Sequence, residues 1–451
     1  MRAELRDTIA AIATPPGAGA LGIVRMSGPQ AFAIASGLLG AEHDVTQQAP
    51  HTVRRARLLD PDSGQPLDDA LCTVMRAPHS YTGEDAVELS CHGSPALLAL
   101  VLERLCRAGA RHAAPGEFTQ RAFLNGRIDL ARAEAVALLI EARTERAVMA
   151  AARALSGELA ARLSRLRDEL LDLIAALEVA LDFPDDEVGI ATEAAHASAR
   201  RLASEVAAIE RASRRGRRLD NGVTVAIVGR TNAGKSSLFN ALVGCNRAIV
   251  SAAPGTTRDV IEATVEIAGV AVRLMDTAGL GVPHDAVDAE GMARSRAAMR
   301  ESDVVLWVID GSVAHDGDCV DAKGRPVLAI RSKADLPAHG LAPSIPGAVS
   351  TSAATGLGIE DVVEVIRKEI LRLTDGAGQE EGAIAASARQ HEAIGRLVRI
   401  LDGASGALAT APTEVALVDL HEALGVVSAL LGEEIGDDIL DRVFSRFCVG
   451  K

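Results

Sequence analysis

Aromatic side chains are scarce in this chain of 451 residues: Phe, Trp and Tyr together make up 2% of it, with a single Trp and a single Tyr. Ala and Leu are abundant instead, which favours Leu-packed helices over an aromatic-rich sandwich. Positive charge is also in deficit, since 47 Lys and Arg face 61 Asp and Glu for a formal net charge of −14. A chain this acidic is a poor non-specific binder of nucleic acid, so any RNA contact must come from a local basic patch or a partner. No stretch of about 18 apolar residues occurs, so no membrane span is expected. Met1–Thr8 carries no apolar signal core. The six cysteines (Cys72, Cys91, Cys106, Cys245, Cys319 and Cys448) include no CxxC pair, so no disulfide framework is expected. No His/Cys set has metal-ligand spacing, and no internal repeat or low-complexity segment stands out. The expectation is a reduced, cytoplasmic protein, and 48% hydrophobic with 24% charged residues is an ordinary folded composition. The length accommodates about two to four domains, each with its own core.

Residues 1–120 read as mixed α/β. Ile9–Ala13 and Leu21–Met26 are short apolar runs split by the turn signal Pro15-Pro16-Gly17, and Thr73–Met75 and Ala86–Leu89 are further strand candidates. Ala96–Ala108 follows as a helix with Gly109 as its C-cap. Over 121–218 the period changes. Leu155, Leu159, Leu163, Leu166, Leu170, Leu173, Leu177 and Leu181 recur at steps of three and four, which places one apolar stripe along a long helix. Phe183-Pro184 ends that run, and a second helix is expected over 191–212. Residues 219–377 open on a buried β run, Thr224–Val228, and 378–451 return to helical spacing at Ile394, Leu397, Leu401 and then Val415, Leu417, Leu420, Leu424. Helical segments therefore flank a central α/β domain. Either they are two bundles or one bundle carries an insertion, and insertion is favoured because short helical pieces bury their stripes best against each other.

The central domain carries the strongest chemistry. Val225–Val228 runs into Gly229-Arg230-Thr231-Asn232-Ala233-Gly234-Lys235-Ser236, a GxxxxGKS loop between a buried strand and a helix at Ser237–Val243. Its glycines let successive N–H groups curl around phosphate oxygens, aided by the helix N-terminus. Lys235 would place a point charge on the terminal phosphates, and Ser236 would ligate a magnesium ion. Asp276-Thr277-Ala278-Gly279 ends the run Val270–Met275, so Asp276 can hold magnesium through water while the Gly279 N–H meets the γ-phosphate. Between the two motifs, Gly255-Thr256-Thr257-Arg258-Asp259 reads as a switch loop with Thr257 as a further magnesium ligand.

The base is read by Ser332-Lys333-Ala334-Asp335. The Asp335 carboxylate can accept both the ring N–H and the exocyclic amine of guanine, whereas adenine would leave it an unpaired charge. Lys333 would cover base and ribose with its stem. Asn usually stands where this chain has Ser332, and the shorter side chain is expected to loosen the strap to the phosphate loop. Ser350-Thr351-Ser352-Ala353 supplies an N–H, that of Ala353, for the guanine keto oxygen. These five elements in order describe a Ras-like P-loop domain that binds and cleaves GTP with magnesium. The Gln that orients water in small signalling GTPases is missing, since Leu280 and Gly281 occupy that stretch. Positive charge must then come from a monovalent cation beside Asn232, completed by the loop Ala248–Thr256, or from an arginine supplied in trans.

Together with their flanks these residues resemble the tRNA-modification GTPase family known as MnmE or TrmE. The likeness is carried by Asp7–Gly17, Gly22–Gly28, Ser80–Leu89, His92-Gly93, Pro115–Leu130 and the ending Phe447-Cys448-Val449-Gly450-Lys451. It implies a multidomain fold: an α/β N-terminal domain that binds a 5-formyltetrahydrofolate or related tetrahydrofolate and dimerises, and an α-helical bundle with an inserted Ras-like α/β GTPase domain. It also implies a homodimer that joins a flavoprotein of the MnmG (GidA) type in a heterotetramer. That assembly adds an aminomethyl-type group at carbon 5 of the wobble uridine of certain tRNAs, with potassium-dependent dimerisation of the GTPase domains.

Carried onto matching positions, Asn232, Ser251, Ala253 and Thr256 become the potassium site, and the nucleotide contacts extend to Ala233, Gly234, Ser237, Ala252 and Pro254. Arg25, Glu88, Arg127 and Lys451 become the folate contacts. Glu88 suits the donors of a pterin and the basic side chains suit a glutamate tail. The family's water-orienting Glu falls at Asp288 here, with Glu290 as its rival. Arg127 replaces a more usual Lys.

Cys448 is a candidate for the modification chemistry, against inert packing. His92 lines the folate pocket or caps a turn. Arg211, Arg214, Arg215, Arg217 and Arg218 read first as a solvated linker, with tRNA contact as the alternative. Two rivals remain: a ribosome-assembly or regulatory switch GTPase, and a folate-dependent one-carbon transferase that GTP regulates.

Overall fold

The computed structural model describes residues 7–41, 43–182, 188–248, 261–277, 296–314, 322, 324–339, 345–375, 382–433 and 436–451. In chain order the first elements are β1 (Ile9–Ile12), β2 (Leu21–Ser27), α1 (Ala31–Leu38), β3 (Val53–Leu59), β4 (Pro66–Met75), β5 (Ala86–His92), α2 (Pro95–Arg107), β6 (Arg111–His112) and α3 (Glu117–Leu124). Helices α4 (Leu130–Glu141), α5 (Glu145–Leu155), α6 (Glu158–Asp182) and α7 (Val188–Asn221) follow. Then come β7 (Val223–Gly229), α8 (Lys235–Cys245), β8 (Arg247–Ala248), β9 (Ile261–Ile267), β10 (Val270–Asp276), β11 (Val304–Asp310), β12 (Val327–Ser332) and β13 (Val349–Ser350). The chain closes with α9 (Ile359–Asp375), α10 (Ala388–Thr410), α11 (Thr413–Leu431) and α12 (Asp437–Phe444). It divides into two compact units, Met1–Ala137 with Ala160–Asp168 and Leu424–Lys451, and Leu138–Leu159 with Glu169–Ala423.

In the first unit a six-stranded sheet has the order β3-β4-β5-β2-β1-β6. Its pairs are antiparallel except β1 with β6. Strand alternation sends Val24, Met26, Val74, Val87 and Leu89 to one face, where Ile34 and Leu38 of α1 and Leu98, Val101 and Leu105 of α2 bury them. Helix α2 ends as its glycine predicts: Gly109 adopts φ +116, and the Ala110 N–H reaches back to the Leu105 carbonyl. A smaller core joins Leu130 and Ala133 to Leu440, Val443, Phe444 and Phe447, which ties the C-terminal helix into this unit.

In the second unit a seven-stranded sheet has the order β13-β12-β11-β7-β10-β9-β8. Strand β7 lies parallel between β10 and β11, and all its residues but Thr224 are buried. That continuous apolar run is what a strand covered on both faces requires. Within this unit α10 packs along α7, so helices from either side of the sheet in sequence meet each other. The sheet is therefore an insertion between helical segments.

Two helix expectations change. The leucine stripe is two helices rather than one: Leu155 closes α5, Gly157 takes φ +95, and α6 carries the rest. A left-handed residue cannot continue a right-handed helix, so the period survives the break while the axis does not. Leu159 to Leu177 are buried, but Leu181 is 37% exposed. The proline stop at Phe183-Pro184 lies outside the described residues. The second helix is longer than expected, running to Asn221, so the arginine cluster is helical rather than a linker. Gly216 makes this possible, because a Cβ there would stand 1.9 Å from the Ile384 carbonyl oxygen of a chain segment laid against the helix.

Candidate active site

The phosphate loop forms where β7 leaves the middle of its sheet. Gly229 closes the strand, and a Cβ there would meet the Val308 carbonyl oxygen of β11 at 2.3 Å, so only glycine admits so close a neighbour. Asn232 and Gly234 both adopt positive φ, +61 and +92, which curls the chain into the N-terminus of α8. Lys235 opens that helix and is buried, its Nζ donating to the Arg230 carbonyl at 3.0 Å. Burial pulls its ammonium below the usual lysine range, and the charge of Asp276 offsets only part of that. The lysine is thus folded onto its own loop beside a carboxylate. Ser236 and Ser237 are exposed at the helix head.

Asp276 sits at the end of β10, next to β7, and is 8% exposed. Its Oδ1 is buried and has no hydrogen-bond partner among the described residues. A bare carboxylate oxygen in such a place costs free energy unless a cation or its water meets it. Thr277 beside it donates from Oγ1 to the Ile227 carbonyl at 2.8 Å and so clamps the two strand ends together.

The base loop corrects one expectation. Ser332 does reach the phosphate loop, with Oγ 2.6 Å from the Ala233 carbonyl, so the strap stands with the shorter side chain. Lys333 adopts φ +57 and its Nζ pairs with Asp310 Oδ2 at 2.6 Å. Burial alone would raise the Asp310 carboxyl, but hydrogen bonds from Lys333 and Ser312 outweigh it and hold the group below its ordinary value. The Ala334 N–H donates to the Thr351 carbonyl at 3.1 Å, which joins this loop to the one holding Ser352 and Ala353. Asp335 is exposed, while Ser352 is buried and accepts the Gly356 N–H at 2.9 Å. Ser251, Ala252, Ala253, Pro254, Gly255, Thr256, Thr257, Ala278, Gly279, Asp288 and Glu290 lie outside the described residues.

In the first unit Arg25 and Glu88 face each other across β2 and β5, with Nη2 and Oε1 at 2.9 Å. Arg25 also donates to the Gly450 carbonyl at 3.1 Å and lies 5.6 Å over the Phe118 ring. The Phe118 N–H donates to the Lys451 carbonyl at 3.2 Å, so the last residues are threaded against these strands. Gly450 has φ +94, and a Cβ would meet the Ile12 carbonyl oxygen at 2.5 Å. Arg127 lays its stem near Gly83, where an added Cβ would come within 3.2 Å of it. The fold therefore brings Arg25, Glu88 and Lys451 into one neighbourhood and sets Arg127 beside the Ser80–Glu84 turn. Cys448 is exposed. His92 is held by Asp68, its Nδ1 at 2.6 Å, at the end of β5.

Sequence reading missed what supports this pocket. Arg121 is 1% exposed and is shared by Asp7, Glu84 and Glu117 at 2.6, 3.2 and 2.9 Å. Arg111 binds Asp7 and Glu117 as well. Glu84 accepts from Ser27 Oγ at 2.6 Å, and the Tyr81 hydroxyl bonds Thr119 Oγ1 at 3.0 Å. Burial raises the Tyr81 phenol above its ordinary value, with the hydrogen bond from Thr119 and the charge of Arg25 opposing it. The signal available was density: Ser80–Leu89 and Pro115–Leu130 hold most of these groups.

Residues 8–127 match the family model of the GTP-binding protein TrmE N-terminus, and residues 130–448 match that of the MnmE helical domain. The "tRNA modification GTPase MnmE" of Koribacter versatilis is 43% identical over 99% of this chain and 100% of its own length. Those of Moorella thermoacetica and Thermus thermophilus are 41% and 40% identical, each covering 99% of this chain and 100% of the relative. A crystal structure of Era with MgGDPNP and part of 16S ribosomal RNA is similar over 32% of this chain and 56% of that one, at 28% identity and a TM-score of 0.27.

Proposed function

Since the chain belongs to the MnmE family of tRNA modification GTPases, we propose that it hydrolyses GTP to drive modification of carbon 5 of the wobble uridine in certain tRNAs. The observation that carries the hydrolytic half is the placement of buried Lys235 within the electrostatic reach of Asp276, whose buried Oδ1 has no hydrogen-bond partner among the described residues.

Magnesium suits this donor set. The Asp276 carboxylate and Ser236 hydroxyl are hard oxygens, and the orphaned Oδ1 is where a metal-bound water would be accepted. Thr257 would add a third oxygen. When bound, the ion would supply neutralisation of the phosphate charge. The chain's own residues do the rest. Lys235 exchanges the Arg230 carbonyl for phosphate oxygens and regains a counter-charge. The left-handed turns at Asn232 and Gly234 aim loop N–H groups inward. Asp335 accepts the guanine N–H donors, Lys333 covers the ring with a stem whose Nζ Asp310 holds, and the Ala353 N–H serves the keto oxygen. Gly279 meets the γ-phosphate, and Asp288, with Glu290 as the alternative, orients water.

The fit of potassium rests on Asn232, which is exposed at φ +61 within the phosphate loop; Ser251, Ala253 and Thr256 would complete it. The tetrahydrofolate reading rests on Glu88, whose second carboxylate oxygen is left for a pterin amine, and on Arg25, Arg127 and Lys451 for an anionic tail. Arg25 Nε is buried without a partner, a further sign that this neighbourhood is polar by design of the chain. A homodimer built on the N-terminal unit, partnership with an MnmG-type flavoprotein and a chemical role for Cys448 complete the proposal.

Mass spectrometry of tRNA from a strain lacking this protein tests it. Wobble uridines should be unmodified and should recover with the wild-type gene. Normal tRNA in the deletion strain would remove the proposal. Replacing potassium by sodium in a hydrolysis assay should slow turnover, and equal rates would remove the cation.

A further inference from the structure

The second unit holds a cleft of about 1120 Å³ lined by Arg143, Arg214, Arg217, Arg218 and Arg273, with His391 among them. Gly222 and Thr224 at the start of β7 also line it. The phosphate loop follows the other end of that strand at Gly229, about 20 Å away at the rise of a β-strand. The cleft is therefore separate from the nucleotide site.

Its charge is unusual for this molecule. Five arginines face three carboxylates, Glu141, Asp220 and Asp303, in a chain whose net charge is −14. Three of the arginines are engaged: Arg214 with Glu210 at 2.6 Å, Arg218 with Asp303 at 3.4 Å, and Arg273 with Glu262 at 3.9 Å. Arg143 and Arg217 have no ion pair among the described residues. Burial and the charge of Glu141 raise the Asp220 carboxyl, against the opposing charge of Arg217. The guanidiniums of Arg143 and Arg217 offer planar forks suited to phosphate oxygens.

The occupant is narrowed by what the lining lacks. No Phe, Trp or Tyr is among the described residues that line the cleft, and its one ring is the His391 imidazole. The single Trp, Trp307, packs against a core cluster, and the single Tyr, Tyr81, is bonded to Thr119. Without a Phe, Trp or Tyr platform, the contacts this lining favours are those between guanidinium groups and backbone phosphate. A space this large exceeds one ion. We infer that the arginine-lined cleft at the start of β7 grips the phosphodiester backbone of the tRNA substrate. This rests on the tRNA reading above and adds where the chain holds the RNA.

The test is binding of a fluorescently labelled, unmodified tRNA transcript to the full chain across a salt series. R143E/R217E should weaken binding at least tenfold. It should also flatten the slope of log affinity against log salt by about 1.5, the share of two phosphate contacts. R143K/R217K should keep most of the slope, because charge rather than shape carries it. R367E, on an exposed arginine of α9, should bind as wild type does, and GTP hydrolysis without tRNA should be unchanged in all variants. Should R143E/R217E fold poorly, R143Q/R217Q must show the same trend. Wild-type affinity and slope in both charge-removing variants would overturn the inference while leaving the tRNA reading intact. A wild-type chain that holds no transcript at low salt would overturn both. Retained transcript with lost capture of the purified flavoprotein would assign the cleft to an acidic protein surface and overturn it too.

Discussion

The phosphate loop and the Arg25–Glu88 pocket reach polar chemistry by opposite routes. In the first, Gly229 to Ser236 are consecutive, and the groups offered to a ligand are largely backbone N–H groups and the side chain of Lys235. In the second, Arg25 bonds the carbonyl of Gly450, 425 positions away, and the supporting Arg121 draws on Asp7, Glu84 and Glu117. The loop leaves charge unsatisfied, since Asp276 Oδ1 has no partner among the described residues and Lys235 is depressed by burial. The pocket's support pairs its charges with one another, with Arg25 Nε and Arg121 Nε the buried atoms left without a hydrogen bond among the described residues. One region is poised for an ion and a triphosphate, and the other is braced before any ligand arrives. Poise and bracing predict different responses to mutation.

Arg121→Met should have the largest effect. It strands carboxylates around a buried cation site, and breaking such a network costs about 3–5 kcal/mol. Thermal unfolding should show the first unit's transition falling while GTP hydrolysis at low temperature persists. Unchanged unfolding would mean that the network is not a brace. Next, Lys235→Ala should leave unfolding nearly unchanged but lower hydrolysis by about 10²–10³-fold, the scale of one lost transition-state donor. A steady-state assay with GTP decides this, and retained turnover would break the contrast between the regions.

Acid should separate the regions as well. Burial alone would raise Asp7 and Glu117, but hydrogen bonds from Arg111 and Arg121 outweigh it and lower both. Carboxyls with depressed folded values contribute stability that is present above their unfolded values, near pH 4, and lost as pH falls through the folded ones. The first unit should therefore lose stability only below about pH 4. In the Arg121→Met protein that acid-linked loss should shrink, which an unfolding series by pH would reveal. Lys235 has the reverse sign. Its folded value is depressed, so the empty loop gains stability as pH rises through that value toward the unfolded one, and bound triphosphate should erase the gain.

The smallest change sharpens the base loop. Ser332→Ala removes the bond to the Ala233 carbonyl, worth about 1 kcal/mol. Guanine-nucleotide affinity should fall about fivefold in an equilibrium titration, with the same preference over adenine. Lost preference would show that the strap, rather than Asp335, discriminates the base.

Legibility followed the same division. Gly229, Lys235, Asp276 and Asp335 could be named from spacing because each stands at the carboxyl end of a strand or in the loop that follows it, where chain direction fixes where the backbone points. The Leu159–Leu177 stripe was readable for a similar reason, since period reports face. The Gly157 break was not, because a glycine is tolerated inside a helix until the neighbouring packing asks for a turn. The helical course of Arg211–Arg218 was missed because a run of charge suits a solvated linker and a helix equally well, and only the Ile384 backbone lying on Gly216 decides. Ser332 was expected to loosen a strap that its hydroxyl makes at 2.6 Å, because reach depends on how near Ala233 is brought.

By itself the sequence determined the order of the nucleotide motifs, the strand and helix periods, and the residue types able to meet phosphate, metal and guanine. Those are local properties, set by backbone geometry and side-chain chemistry within a few positions. Tertiary structure alone decided that the chain's last residues lie against β1 and β2, that Arg121 is shared by three carboxylates, and that five arginines converge beside β7. Each of these depends on which distant segments touch, and contact over hundreds of residues follows from the burial of whole faces rather than from any short run of side chains.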